Sequence, residues 1–231
     1  MTTIDDAKRA AGVEVARLVE DGMIVGLGTG STAAPAIREL GRRVRDEGLH
    51  ITGTPTSFAS EILAREVGIP LCDLSEIDAI DIAFDGADEV DPNIDVIKGR
   101  GAAQTREKVV ASLARRFIIL VDESKLVDRL GAQMPLPIEV IPMASFPIKR
   151  KLEGLGAEVS LRMGQRKDGP VVTDQGLWIL DANFKPAISN PEELDHVLLT
   201  TPGVLDHGLF LGLATDVFVG KADGSVEHRQ R

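Results

Sequence analysis

Met23-Ile24-Val25-Gly26-Leu27-Gly28-Thr29-Gly30-Ser31-Thr32-Ala33 is the stretch on which the fold turns. Met23-Ile24-Val25 reads as a short buried strand running into a glycine-rich turn, and Ile37, Leu40 and Val44 then mark one side of a helix. The same rhythm extends outward in both directions. Upstream, Ile4, Ala7, Ala11, Val15, Leu18 and Val19 fall near helical spacing, with Gly22 as the stop. Downstream, a strand near 49–54 meets Thr54-Pro55-Thr56-Ser57, and a helix over about 58–67 ends at Gly68. Ile80-Asp81-Ile82-Ala83-Phe84 predicts a strand ending in Asp85-Gly86-Ala87-Asp88. A helix follows Gly101 and ends near Arg116, and the apolar run Phe117-Ile118-Ile119-Leu120-Val121 ends in Asp122-Glu123-Ser124-Lys125. Strands that alternate with helices in this way imply a parallel sheet covered by helices.

After about residue 127 the rhythm changes. Segments 136–141, 157–162, 170–173 and 177–181 predict shorter strands with fewer helices between them. Val171 to Leu180 reads as a hairpin turning near Asp174–Gly176. Pro191 to Leu199 predicts a helix with Asn190 as its cap and Pro191 in its first position. This region therefore reads as a small α+β domain, 128–204, and strands around 208–212 and 216–219 return to the first domain, giving 1–127 plus 205–231. Glu227 to Arg231 reads as a frayed polar tail.

A chain of 231 residues is long enough to bury a sizeable core. No apolar run approaches the roughly 18 residues of a membrane span. The start Met1-Thr2-Thr3-Ile4-Asp5-Asp6 is polar and acidic, without a basic and an apolar region, so the expected location is the cytoplasm. The single cysteine, Cys72, agrees with a reducing compartment. A net charge of −10 argues against nucleic acid as a partner. An anionic small molecule would need a local positive site against that field.

The glycine-rich and polar clusters at 28–32, 54–57, 85–88 and 122–125 each follow a predicted strand. In an open parallel sheet the carboxyl ends of the strands share one edge, where ligands bind, so four separate clusters converge on one site. Gly28 to Ala33 admits several readings. A nucleotide P-loop lacks its lysine before Ser31 or Thr32. Gly28-x-Gly30-x-x-Ala33 fits the relaxed dinucleotide fingerprint, but 50–57 offers no acidic partner at the end of the next strand. A phosphate cradle at a helix N-terminus, aided by three hydroxyls, and a merely tight turn with a Ser or Thr cap both remain.

Asp85-Gly86-Ala87-Asp88 could bind a metal, cap a helix or accept hydrogen bonds from sugar hydroxyls. The histidines at 50, 196, 207 and 228 stand too far apart for ligand spacing, which favours the hydroxyl reading. Lys98-Gly99-Arg100-Gly101 sets two cations beside glycines before a helix, suited to an oxyanion or a phosphate, or simply to a solvated basic turn. Lys125 could reach a phosphate at the same edge or stand as a loop lysine. Glu107 lies about two turns into the helix, between Arg106 and Lys108. The residues themselves do not select it as a base over Glu89 or Glu123.

Taken together, Gly26 to Ala33, Asp85-Gly86-Ala87-Asp88-Glu89, Lys98-Gly99-x-Gly101-Ala102-Ala103, Thr105-Arg106-Glu107-Lys108 and Ser124-Lys125 resemble, in order and spacing, ribose-5-phosphate isomerase of type A. Pro135 to Pro142 and Gly208-Leu209-Phe210 are similar to that family too. The resemblance implies a Rossmann-like parallel sheet domain with a smaller inserted ferredoxin-like α+β domain. It implies a homodimer or larger homo-oligomer, no metal and no organic cofactor. The implied activity is interconversion of D-ribose 5-phosphate and D-ribulose 5-phosphate in the non-oxidative pentose phosphate pathway. Glu107 matches the family's catalytic base, with Asp85, Asp88 and Lys98 assisting at the reacting oxygens. Thr29, Gly30, Ser31, Thr32, Asp85, Gly86, Ala87, Asp88, Lys98, Gly99, Arg100, Gly101 and Lys125 match its substrate-contacting segments. Arg100 departs from the family's usual Lys-Gly-Gly-Gly, so a backbone role there is surer than a side-chain role. The loop around Thr56, Ser57 and Phe58 is assigned no catalytic part. The rival from another class is a non-catalytic phosphosugar-sensing domain of the same fold.

Overall fold

In the computed structural model, which describes residues 4–231, the elements run in chain order as α1 Ile4–Arg17, β1 Ile24–Leu27, α2 Ala34–Glu47, β2 Thr52–Pro55, α3 Phe58–Glu66, β3 Ile82–Gly86, β4 Glu89–Val90, β5 Val96–Ile97, α4 Gln104–Leu113, β6 Phe117–Asp122, β7 Leu136–Val140, α5 Ser145–Gly154, β8 Ala157–Leu161, β9 Trp178–Phe184, α6 Pro191–Leu199, β10 Val204–His207, β11 Leu209–Phe210, β12 Asp216–Gly220 and β13 Val226–Gln230. The polar start Met1–Thr3 lies outside the described residues. Contacts group the chain into two compact units. One comprises Met1–Ala87, Arg106–Leu126 and Gly212–Arg231; the other comprises Asp88–Thr105 and Val127–Leu211. Segment 88–105, expected within 1–127, thus groups with the second unit, as does 205–211.

The first unit is built on a six-stranded sheet in the order β13-β12-β6-β3-β1-β2. Its four pairings from β12 to β2 are parallel, and β13 runs antiparallel to β12. Both faces of this sheet are covered. Val25, Leu27, Ile82, Phe84, Ile118 and Leu120 meet Ala11 and Val15 of α1 and Ile37 and Leu40 of α2. The alternate residues face the other side, where a side chain at Gly26 would collide with Ala83 and with Val110 of α4. Two covered faces explain why β6 reads as an unbroken apolar run instead of an alternation.

The second unit holds a four-stranded antiparallel sheet in the order β10-β7-β9-β8. Numbering those strands by their place in the chain gives 4-1-3-2, with α5 between the first and second and α6 between the third and fourth. That is the ferredoxin-like arrangement the resemblance implied. Its core gathers Leu136, Ile138 and Val140 of β7 with Ile148 and Leu152 of α5 and Leu194 and Leu198 of α6. A further three-stranded sheet, β11-β5-β4, draws Glu89–Ile97 into this unit.

Several expectations need correction. The tail is not frayed: 226–230 forms β13, an edge strand whose His228 ring stacks on Phe218 at 4.4 Å and reaches Asp216 Oδ1 at 2.6 Å. Edge strands tolerate such charged sequences, which hide them from an apolar pattern. Residues 208–212 do not return to the parallel sheet, since β11 pairs with β5 in the second unit. Residues 170–173 make only isolated bridges, at Met163–Pro170 and Val172–Trp178, although the turn at 173–177 forms as expected. Helix α5 was not expected. Pro147 stands in its first turn, where the missing N–H breaks no helical bond. Helix α6 begins as read, with the Asn190 side chain accepting from the Glu193 N–H at 3.2 Å.

Candidate active site

Strand β1 is the switch point of the parallel sheet. The chain leaves it toward β2 on one side, and β3 lies on the other. The crevice at the carboxyl ends of β1 and β3 is where such sheets hold ligands. There the Thr29 N–H donates to Asp85 Oδ1 at 2.9 Å, and the same oxygen accepts from the Gly86 N–H at 2.7 Å. Asp85 is 1% exposed. Gly28 permits this approach: a Cβ there would lie 2.3 Å from the Phe84 carbonyl oxygen and 2.6 Å from Asp85 Cα. Gly86 faces Thr32, with 3.3 Å between an added Cβ and Thr32 Cβ. Asp85 and Gly86 therefore close β3, where the sequence set them just beyond it.

The hydroxyls after β2 join this cluster. Thr29 Oγ1 shares a hydrogen bond with Thr56 Oγ1 at 2.7 Å and donates to Ser57 Oγ at 2.7 Å. Ser57 also caps α3 by accepting from the Ser60 N–H. Neither Thr56 nor Ser57 was given a part from sequence, yet both orient Thr29. Helix α2 starts after Ala33, which makes no side-chain cap bond, so a Ser or Thr cap does not account for Thr29–Thr32. A helix start without a cap leaves N–H groups for an anion. Gly30 takes φ of +90° and, with Ser31, is exposed.

Among the three candidate bases the structure discriminates. Glu89 is fully buried in the second unit, and its carboxylate accepts from the N–H groups of Gly131, Gln133 and Met134 at 2.5, 2.6 and 2.7 Å. It is a loop anchor. Glu123 is exposed on a single 3-10 turn. Glu107 is 4% exposed and lies in the first turn of α4, not two turns in, because the helix begins at Gln104. A helix returning to the start of a parallel strand begins at the carboxyl edge of the sheet, so its first turn belongs to the ligand-binding side. Lys125 is half-buried beside Ser124, whose N–H donates to Asp122 Oδ1 at 3.0 Å.

Ala87 ends the first stretch of the first unit, while Asp88 and Lys98–Gly101 belong to the second. The Arg100 N–H donates to Asp88 Oδ2 at 3.0 Å, tying the two segments together. Lys98 is 2% exposed, with Nζ 5.6 Å above the centre of the Phe210 ring. Gly99 needs its φ of +101°, and a Cβ there would also meet the Gln104 side chain at 2.8 Å. Ala102 is left-handed as well, at φ +59°. The Arg100 side chain is exposed and, with Asp88, Arg162, Gln165 and Asp181, lines a cavity of about 240 Å³.

Sequence gave no signal for three further residues. Arg162, just after β8, donates to the carbonyls of Gly99 and Arg100, and Asp181 on β9 accepts from the same guanidinium. Glu139, 1% exposed on β7, accepts from the hydroxyl of Thr105, two residues before Glu107, and from that of Thr173 at 2.5 Å. Among the described residues no three His, Cys, Asp or Glu side chains gather as a metal site, and no helix is long and apolar enough to cross a membrane.

A doubly covered parallel sheet with an uncapped glycine turn, a buried aspartate and a buried glutamate at its carboxyl edge defines an α/β enzyme for small phosphorylated, hydroxyl-rich substrates. The family model of ribose 5-phosphate isomerase A (phosphoriboisomerase A) matches residues 52–224. Ribose-5-phosphate isomerase A of Methanothermobacter thermautotrophicus is 51% identical over 97% of this chain and 98% of its own, and that of Pyrococcus abyssi is 51% identical over 96% of each. A solved D-ribose-5-phosphate isomerase in complex with phospho-erythronic acid superposes with a TM-score of 0.96 at 47% identity, covering 99% of this chain and 100% of that one. The ribose 5-phosphate isomerase A structure from Methanocaldococcus jannaschii gives 0.94 at 44% identity, over 99% and 100%. This chain belongs to the ribose 5-phosphate isomerase A family.

Proposed function

We propose that the chain interconverts D-ribose 5-phosphate and D-ribulose 5-phosphate through an enediolate, with Glu107 as the base. The observation that carries the choice of base is its burial in the first turn of α4, while Glu89 is consumed by three backbone N–H groups and Glu123 is exposed. Glu107 takes the proton from C2 of the aldose. The C2–H electron pair forms the C1–C2 double bond, and O1 gains negative charge. The proton on O2 moves to O1; the charge left on O2 then closes to the C2 carbonyl as the electron pair of the C1–C2 double bond takes the proton back from Glu107 at C1. A placed base supplies on the order of 10²–10⁴ in rate.

Lys98 supplies positive charge for the developing oxyanion, and the Asp85 and Asp88 carboxylates carry the oxygen-bound proton. The Thr29–Thr32 turn, with its uncapped helix N-terminus, takes the phosphate, aided by Lys125. Gly86, Ala87, Gly99, Arg100 and Gly101 complete the contacts through the backbone. A relative 47% identical holds phospho-erythronic acid, whose planar carboxylate imitates an enediolate and whose phosphate imitates that of the sugar. We place the enzyme in the cytoplasm, in the non-oxidative pentose phosphate pathway, as a homodimer or larger homo-oligomer. The chemistry asks for no cofactor.

The test is Glu107→Gln. Turnover of ribose 5-phosphate should fall by about 10³-fold or more, with phosphosugar binding retained. Turnover near the wild-type rate would refute the base. A wild-type chain that binds the phosphosugar without converting it would leave the sensing role instead.

A further inference from the structure

Arg162 follows β8, and its backbone is pinned where its N–H donates to the Ile179 carbonyl at 2.9 Å. Its side chain is 16% exposed. The guanidinium divides its donors between two jobs. Nε and Nη2 grip the Asp181 carboxylate on β9, with Nε to Oδ2 at 2.8 Å. Nη1 donates to the carbonyl oxygens of Gly99 and of Arg100, each at 2.9 Å. An ordinary structural ion pair would need only the first.

The second job fixes two peptide planes. In a trans peptide the C=O and N–H point in opposite directions. The Gly99–Arg100 plane is held at both ends, its oxygen on Arg162 and its N–H on Asp88 Oδ2 at 3.0 Å. The Arg100–Gly101 plane has its oxygen on Arg162, so the Gly101 N–H points away from the guanidinium. That N–H meets no protein acceptor among the described residues, and Gly101 is exposed. The loop has one turn bond of its own, from the Ala102 N–H to the Gly99 carbonyl at 3.0 Å, and it carries two left-handed residues, Gly99 at φ +101° and Ala102 at φ +59°, of which the alanine is strained.

We infer that Arg162, aimed by Asp181, is a positioning residue that locks the Lys98–Gly101 loop so that the Gly101 N–H is presented to a substrate oxygen. This rests on the assignment of that loop to substrate contact. Arg162 touches no reacting atom. It acts through two carbonyls, and its effect appears where charge grows on the substrate oxygen more than where the sugar phosphate is anchored.

The experiment follows ribose 5-phosphate isomerisation by the full chain, wild type beside Arg162→Ala. The expected result is a kcat lower by about 10²-fold with KM within about threefold, the size of effect of a small misplacement. Guanidinium chloride in the tens of millimolar range restores part of the lost kcat, while sodium chloride at equal ionic strength does not. Arg162→Lys stays low, because an ammonium cannot serve two carbonyls and both carboxylate oxygens. Arg162→Ala leaves Asp181 without its cation, so Arg162→Met with Asp181→Leu, which removes both charges, is measured in parallel with far-UV circular dichroism. A folded variant with wild-type kcat, a loss confined to KM, or a loss that guanidinium and sodium chloride affect equally overturns the inference. An inactive wild type refutes the isomerase activity itself; an active wild type with an unimpaired Arg162→Ala refutes only the clamp.

Discussion

Replacing Gly28 by alanine tests how closely the ligand-binding edge of the sheet is built. An added Cβ would meet the Phe84 carbonyl oxygen at 2.3 Å and the Cα and Cγ of Asp85 at 2.6 Å, where ordinary contact begins at 3.4 Å. Two of these atoms are backbone, so the end of β1 and the end of β3 must separate by about 1 Å, or the turn must tilt by a similar distance. Either movement stretches the 2.9 Å bond from the Thr29 N–H to Asp85. Overpacking of this kind costs about 1–3 kcal/mol, and a lost hydrogen bond to a carboxylate adds about 1.5–3. Displacing reacting groups by about 1 Å costs on the order of 10²-fold in rate. Gly28→Ala is therefore expected to lose roughly 10²-fold in kcat on ribose 5-phosphate and to unfold at lower urea. Far-UV circular dichroism should follow the unfolding, since Trp178 lies in the other unit. Gly48→Ala is the control: Gly48 ends α2 at φ +71° with open space around it, so it costs about 1 kcal/mol in backbone strain and leaves kcat alone. Wild-type kcat and urea midpoint in Gly28→Ala would refute the close approach of β1 and β3.

Asp216 gives a prediction about acid. Burial pushes its carboxyl up, but the Arg116 guanidinium at 2.7 and 2.8 Å, the Thr215 hydroxyl at 2.7 Å and His228 outweigh that and hold it at about 2, below the ordinary 3.8. A carboxylate depressed on folding stabilises fully above its unfolded value and loses that contribution as pH falls through the folded one. The wild type should thus lose about 2 kcal/mol between pH 4 and pH 2 from this group, and Asp216→Asn should lack that portion of the acid dependence. Urea midpoints at pH 5 and pH 2.5 decide it, and identical acid dependence in the two proteins counts against the assignment. Glu139→Gln weakens the buried bonds to Thr105 and Thr173, at an expected cost of about 1–3 kcal/mol. Trp178, paired with Val140 on the neighbouring strand, should report the lower urea midpoint by fluorescence; an unchanged midpoint would remove Glu139 as an anchor of the α4 start.

The alternation of apolar strands with amphipathic helices determined the parallel sheet, because each strand there is buried on both faces and each helix on one, and both leave a local periodic trace. The glycine turn at 28–30, the acidic end of β3 and the Lys98–Gly101 loop were legible for the same reason: chain geometry at a strand end demands particular residues next to one another. Motif order then named the family and pointed to Glu107. Only tertiary structure separated Glu107 from Glu89, since burial beside three backbone N–H groups of 131–134 has no trace near position 89. Only tertiary structure drew β13 out of a charged tail, and it gave Thr56, Ser57, Glu139, Arg162 and Asp181 their work. Those side chains act on partners 19 to 63 residues away, Asp181 on Arg162 at the near end and Arg162 on Gly99 at the far end. Sequence patterns record what neighbouring residues require of each other. A hydrogen bond across that separation is decided by the packing of strands and leaves no periodic mark.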